Sequence, residues 1–165
     1  MKKIFFIAIT FIGGTLFMNA QDIADHAIGL RIGGGDGFGT EVSYQLGLSD
    51  NNRLELDLGF VGDSDFNGFK LAGIYQWVWN IDGGFNWYAG PGAGISSKNY
   101  KKYKGDYIDE TDTYVFIGGD IGIEYVFDIP LMLSIDFRPE FGFGSSAYNN
   151  NKLHSSLALS VRYRF

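Results

Sequence analysis

A two-residue alternation of apolar and polar side chains recurs eight times along this chain, and few patterns restrict a fold more tightly. Successive side chains of a β-strand point to opposite faces, so each run describes a strand with one greasy and one polar face. In the last run Leu153, Ser155, Leu157, Leu159, Val161, Tyr163 and Phe165 oppose His154, Ser156, Ala158, Ser160, Arg162 and Arg164. Before it, Leu131, Leu133, Ile135, Phe137, Phe141 and Phe143 oppose Ser134, Asp136, Arg138, Glu140 and Gly142. Further runs occupy 28–32, 42–48, 54–60, 69–79, 85–95 and 115–127, with Ile74 and Val78 breaking the polarity of the fourth. The connections at 49–52, 82–84 and 128–130 are short and rich in turn residues. Those at 34–39, 63–67, 97–112 and 144–152 are longer on average and more polar. The predicted fold is all-β: an eight-stranded antiparallel up-and-down barrel that spans a membrane, with both termini and the short turns on the periplasmic side.

Alternation alone does not say which face is outside, because a soluble lipocalin-like barrel alternates too, with its apolar side chains inward. Glycine is the first discriminator. The chain has 24 glycines and 17 % aromatic residues, and Gly29, Gly33, Gly47, Gly59, Gly90, Gly92, Gly94, Gly118, Gly122 and Gly142 all fall on the polar face. Water gives a strand no reason to tolerate glycine, whereas the cramped interior of an eight-stranded barrel does. Charge is the second. Glu41, Glu55, Asp57, Asp120, Glu124, Asp136 and Glu140 share the polar face with Arg31, Arg53, Lys70, Arg138, Arg162 and Arg164, a near-neutral set suited to an interior network. The third is aromatic placement. Trp77, Trp79, Phe85, Trp87, Tyr125, Phe127, Tyr163 and Phe165 collect at the periplasmic rim, and Phe60, Phe69, Phe141 and Phe143 at the other. Two girdles around an aliphatic band match the two interfaces of a bilayer. Pro91 and Pro139 resist the pattern, since each removes a ladder donor; a bulge or a strand projecting beyond the membrane is expected there.

Lys2 and Lys3 followed by an apolar stretch to Met18 and then Asn19-Ala20 have the layout of a secretory signal peptide, with cleavage expected after Ala20. The alternative is a retained anchor. The stretch is shorter than the roughly 20 residues a membrane-spanning helix needs. Residues 21–165 then form one barrel domain. The formal net charge is −6, and losing the leader makes the chain more acidic still, a poor match for nucleic acid. With no cysteine, disulfides, thiolate chemistry and thiolate zinc sites are excluded.

The segments Gly122-Ile-Glu-Tyr-Val-Phe-Asp-Ile-Pro130, Ile135-Asp-Phe-Arg-Pro-Glu140 and Ser160-Val-Arg-Tyr-Arg-Phe165 resemble the small OmpA/OmpX-type outer-membrane β-barrel proteins of Gram-negative cells, and the resemblance covers the whole of 21–165. The alternating last strand ending in phenylalanine is similar to the signal read by the outer-membrane barrel assembly machinery. The resemblance therefore implies insertion by that machinery, and outer-membrane lipid and lipopolysaccharide as surroundings. It implies little about activity, because this architecture carries adhesins, structural proteins and a few lipid-modifying enzymes.

His154, Ser155 and Ser156 with Glu140 resemble the His/Ser/acid set of lipid A deacylase barrels, but parity points His154, Ser156 and Glu140 inward, where no lipid reaches. His26, ahead of the first run, is read as solvated. The glycine-rich 33–39 stretch lacks the lysine of a phosphate loop, and the acids at 63–65 and 106–112 lack EF-hand spacing. No cofactor or metal is expected. Lys98, Lys101, Lys102 and Lys104, interleaved with tyrosines in the longest connection, form a candidate surface contact for glycolipid phosphate. The expected role is structural or in surface interaction, with a side-chain-filled interior too narrow for a general porin. A lipid-modifying enzyme and a soluble ligand carrier are the alternatives.

Overall fold

The computed structural model describes residues 23–35, 38–62, 66–103, 106–143 and 153–165; the leader and its cleavage point lie outside them. Eight strands follow one another: β1 (His26–Gly34), β2 (Thr40–Ser49), β3 (Asn52–Gly62), β4 (Phe66–Asp82), β5 (Phe85–Tyr103), β6 (Asp106–Val126), β7 (Leu131–Phe143) and β8 (Leu153–Arg164). Each pairs antiparallel with the next, and β1 pairs with β8, which closes the barrel. At the seam the His26 amide donates to the Phe165 carbonyl at 3.1 Å, and the Phe165 amide to the His26 carbonyl at 2.9 Å. Gly29 sits on the same seam. A Cβ there would run into the Val161 carbonyl and the Arg162 backbone, so only glycine lets β1 and β8 come this close. The β4–β5 turn uses Gly83 at a φ of 51°, a left-handed conformation that costs glycine little.

The two faces separate sharply. Leu157, Leu159 and Ile117 are 58 %, 63 % and 54 % exposed, while Glu55, Arg138 and Arg162 are 1–2 % exposed. Apolar side chains face out around the barrel and charged ones fill the centre, the reverse of a water-soluble protein.

Two expectations about the strands are corrected. The connection 97–112 is not a loop: β5 runs on to Tyr103 and β6 begins at Asp106, with Lys98 opposite Asp112 and Asn99 opposite Thr111. The Ser97 and Thr113 hydroxyls lie 2.8 Å apart across this ladder, and Asn99 donates to Thr111 at 3.0 Å. Backbone pairing continues there although the alternation of side chains fades. Pro91 and Pro139, in turn, cause neither a bulge nor a projection. The β4–β5 register is the same on both sides of Pro91, from Ile74–Gly92 to Trp77–Ala89. The β6–β7 register is likewise unbroken around Pro139, from Gly118–Glu140 to Ile121–Phe137. Each proline lacks an N–H, and the intact pairs above and below it hold the strands in register.

Candidate functional site

Because even-numbered residues of β6, β7 and β8 point inward, as do odd-numbered residues of β1, β2 and β3, charges from well-separated strands meet across the lumen. Arg31 on β1 reaches Glu41 on β2 at 2.8 Å and Asp136 on β7 at 2.5 Å. Arg138 on β7 crosses to β3, where it meets Asp57 at 2.8 Å and Glu55 at 3.0 Å. Arg162 joins Glu55 at 3.1 Å and donates to Ser43 and Ser134. Arg53 holds Glu124 at 2.7 Å, and Lys70 holds Glu140 at 2.7 Å. Asp120 accepts from the Gln76 amide at 2.6 Å and lies 3.8 Å from Arg138. Among the described residues, seven buried carboxylates therefore face five buried cations. Burial on this scale is tolerable only because every one of these charges has an opposite charge or hydrogen-bond donor beside it. Arg164 stands apart. It is only half-buried, at the mouth that carries both ends of the barrel chain, beside Asp25 and Asp128, because β8 ends there and the lumen opens.

Several lining residues carry no charge and give little signal in the sequence. Phe38, from the β1–β2 connection, folds into the mouth opposite the chain termini and is 3 % exposed. The Lys98 ammonium lies 4.8 Å from its ring centre, and that of Lys70 lies 5.2 Å from the Phe116 ring. These cation–π contacts make an aromatic layer above the ionic one. Ile74 and Val78, which break the polarity of their strand, are buried inside with Tyr88 and Met132. Phe116 was detectable as a large ring on the polar parity of β6, whereas Phe38, in a glycine-rich connection, offered no periodicity to read. Near the end of the barrel where β1 begins and β8 ends, a void of about 20 Å³ lies among Ala27, Gln45, Arg53, Glu124 and Met132, room for about one water. The lumen is packed rather than open.

Three of the residues that resemble a deacylase set are engaged inside the barrel. Ser156 accepts from Arg31 at 2.9 Å, Glu140 is paired with Lys70, and His154 stacks on Tyr114 at 6.0 Å. Ser155 alone of the set is exposed on the outward face, apart from the histidine and the acid. His26 is corrected from a solvated position to the first residue of β1: its Nδ1 lies 2.8 Å from the Tyr44 hydroxyl and its ring stacks on Phe165 at 5.4 Å. The strand starts this early because the seam with Phe165 holds it. Around the same rim, Trp79 stacks on Trp87 at 4.2 Å, Phe85 packs on Tyr125 at 4.6 Å and Tyr125 on Phe127 at 4.7 Å. Trp77 packs edge-on against Tyr75 at 5.1 Å, and Tyr163 stacks on Phe165 at 6.2 Å. At the opposite rim Phe141 and Phe143 meet at 5.1 Å. Of the candidate contact lysines, Lys98 and Lys102 lie on β5 opposite Asp112 and Tyr107, and Lys101 sits at the irregularity between them. Lys104 is outside the described residues. Among the described residues no cluster of three metal-ligating side chains occurs.

No family model matches the chain, and no curated protein matches its sequence. Solved structures do match its shape. The N-terminal β-barrel domain of Pseudomonas aeruginosa OprF aligns with a TM-score of 0.63 at 17 % identity, covering 89 % of this chain and 100 % of that one. Neisserial surface protein A aligns at 0.58 and 14 % identity, covering 85 % and 94 %. Ail, the attachment invasion locus protein of Yersinia pestis, aligns at 0.55 and 13 % identity, covering 85 % and 96 %. Likeness at such low identity speaks for architecture alone, and together with the closed, all-antiparallel topology it shows that this chain has the fold of the small OmpA/OmpX-type eight-stranded barrels.

Proposed function

We propose that this chain is an outer-membrane β-barrel with a structural or surface-interaction role, a side-chain-filled interior and no catalytic work. The observation that carries the reading is the inversion of the two faces. Leucine, isoleucine, valine and phenylalanine are exposed on strand after strand while arginine, lysine, aspartate and glutamate are buried. A soluble monomer rarely exposes a contiguous apolar patch beyond a few hundred Å². Hydrocarbon accepts such a belt, and a closed barrel leaves it no unpaired strand edge. The expected route is export with loss of the leader near Ala20, then insertion by the barrel assembly machinery through the strand ending in Phe165.

The surface role is assigned to the β5–β6 hairpin. Its apolar outward residues end at Ile95 and Val115, yet the two strands stay paired as far as Tyr103 and Asp106. The backbone ladder of the hairpin thus continues past the greasy belt, along a stretch of sequence rich in lysine and tyrosine. Glycolipid phosphate is the proposed contact for Lys101, Lys102 and Lys104, with Lys98 placed lower, over Phe38. Cell fractionation with an unboiled gel tests the membrane reading: it requires the protein in the outer-membrane fraction with mobility that changes on boiling. Recovery in the soluble periplasmic fraction would overturn it. For the surface role, replacing Lys101, Lys102 and Lys104 by alanine must weaken binding of purified lipopolysaccharide, and unchanged affinity removes that assignment.

A further inference from the structure

The outward face dips where β5 to β8 carry short side chains side by side. Pro91 on β5 lies opposite Gly119 on β6, and Pro139 on β7 lies opposite Ser155 on β8, in one row of short side chains across four strands. One ridge above it is formed by Ile117, Phe141 and Leu153, paired in sequence with one another. The ridge below is Ile121 opposite Phe137. Over this row, against the upper ridge, is a trench of about 550 Å³, open to the outside and lined by Pro91, Gly119, Pro139, Ile117, Phe141 and Leu153. Its row spans about 14 Å at roughly 4.8 Å per strand.

Gly119 is unlike the inward glycines. A Cβ there would meet nothing nearer than the Gly90 carbonyl at 3.7 Å, and its φ is not left-handed. Neither strand packing nor backbone conformation demands glycine at this position. Its effect is on the outer surface, where any larger side chain would fill the trench.

The occupant follows from where the trench lies. Gly119 stands about 15 Å above the Tyr125 rim, at roughly 3.3 Å per residue on a strand tilted ~40°, which is the outer half of an apolar band ~25 Å tall. The surrounding walls, Ile117, Phe141 and Leu153, are 54 %, 42 % and 62 % exposed and continuous with the belt that meets lipid. We propose that the trench holds one acyl chain of an outer-leaflet glycolipid, a proposal that rests on the membrane reading above. Burial from water cannot drive the binding, because hydrocarbon surrounds both partners. The gain is dispersion contact: a chain lying in the trench touches both the proline–glycine floor and the Ile117–Phe141–Leu153 wall, whereas one on a smooth belt touches a single surface.

The test uses the whole barrel extracted from the outer membrane with its lipid in a mild detergent, and bound lipid identified and counted by native mass spectrometry. One lipid A should be carried per barrel, with phosphatidylethanolamine, the lipid of the inner leaflet, carried about tenfold less. Gly119→Trp should lower lipid A occupancy about tenfold, and Val42→Trp, on a distant part of the belt, should leave it unchanged. Equal occupancy in the Gly119→Trp and unaltered proteins overturns the proposal, as does equal retention of the two lipids. If Gly119→Trp lacks the mobility of a folded barrel, Phe141→Ala replaces it; this removes one wall and must lower occupancy as well. Failure of the unaltered protein to enter the membrane at all would instead count against the membrane reading.

Discussion

Arg138 shows how much one side chain can carry inside this barrel. It is 2 % exposed and bridges Asp57 and Glu55 on the far side of the lumen. Arg138→Met would leave Asp57 buried without its cation, while Glu55 keeps Arg162, and such losses cost about 3–5 kcal/mol. A fall of that size in urea-unfolding stability in lipid vesicles is the expected outcome. The double variant Arg138→Met/Asp57→Asn should recover part of it, because one stranded charge is removed together with its partner. Glycines separate in the same way. At Gly29 an added methyl collides with the β8 backbone, so Gly29→Ala should cost about 1–3 kcal/mol as overpacking. At Gly119 the same methyl makes only an ordinary contact with the Gly90 carbonyl at 3.7 Å, and Gly119→Ala should lose nothing by the same measurement.

The β5–β6 hairpin behaves as an element with two environments. Below Ile95 and Val115 it is part of the barrel wall; above them it is paired mainly with itself and with the end of β4. Joining Asn99 to Thr111 through an Asn-Gly turn in place of residues 100–110 should leave a barrel whose gel mobility still changes on boiling, and should abolish lipopolysaccharide binding. Loss of the folded band would mean that the hairpin is needed for closure. The same element shows what the sequence could and could not reveal. Alternation exposed the β7 and β8 runs plainly, because apolar side chains on one face and ions on the other force a contrast at every residue. Beyond Ile95 and Val115 that contrast vanishes from the sequence, and 97–112 reads as a loop although its backbone stays paired. The inward charges were legible by parity, but their partners were not. Arg31 and Asp136 are 105 residues apart, and only the curvature of a closed eight-stranded wall brings them together. Phe38 was illegible for another reason: it enters the mouth from a connection, where no period applies.

At the scale of the whole molecule, the ionic layer and the aromatic layer above it fill the lumen. Planar-bilayer recordings should therefore show no large, stable conductance, and a steady porin-sized current would contradict a packed interior. The central claim is that lipid touches the greasy face, and the three native tryptophans test it without mutation. Trp77, Trp79 and Trp87 all lie on the outward parity of β4 and β5, close to the periplasmic turn. Their fluorescence should be measured in barrels folded into vesicles whose acyl chains carry bromine at defined depths. The account predicts strong quenching by bromines near the headgroup end of the chain and weaker quenching by bromines at the bilayer centre. Folded protein whose tryptophans escape quenching at every depth would contradict it.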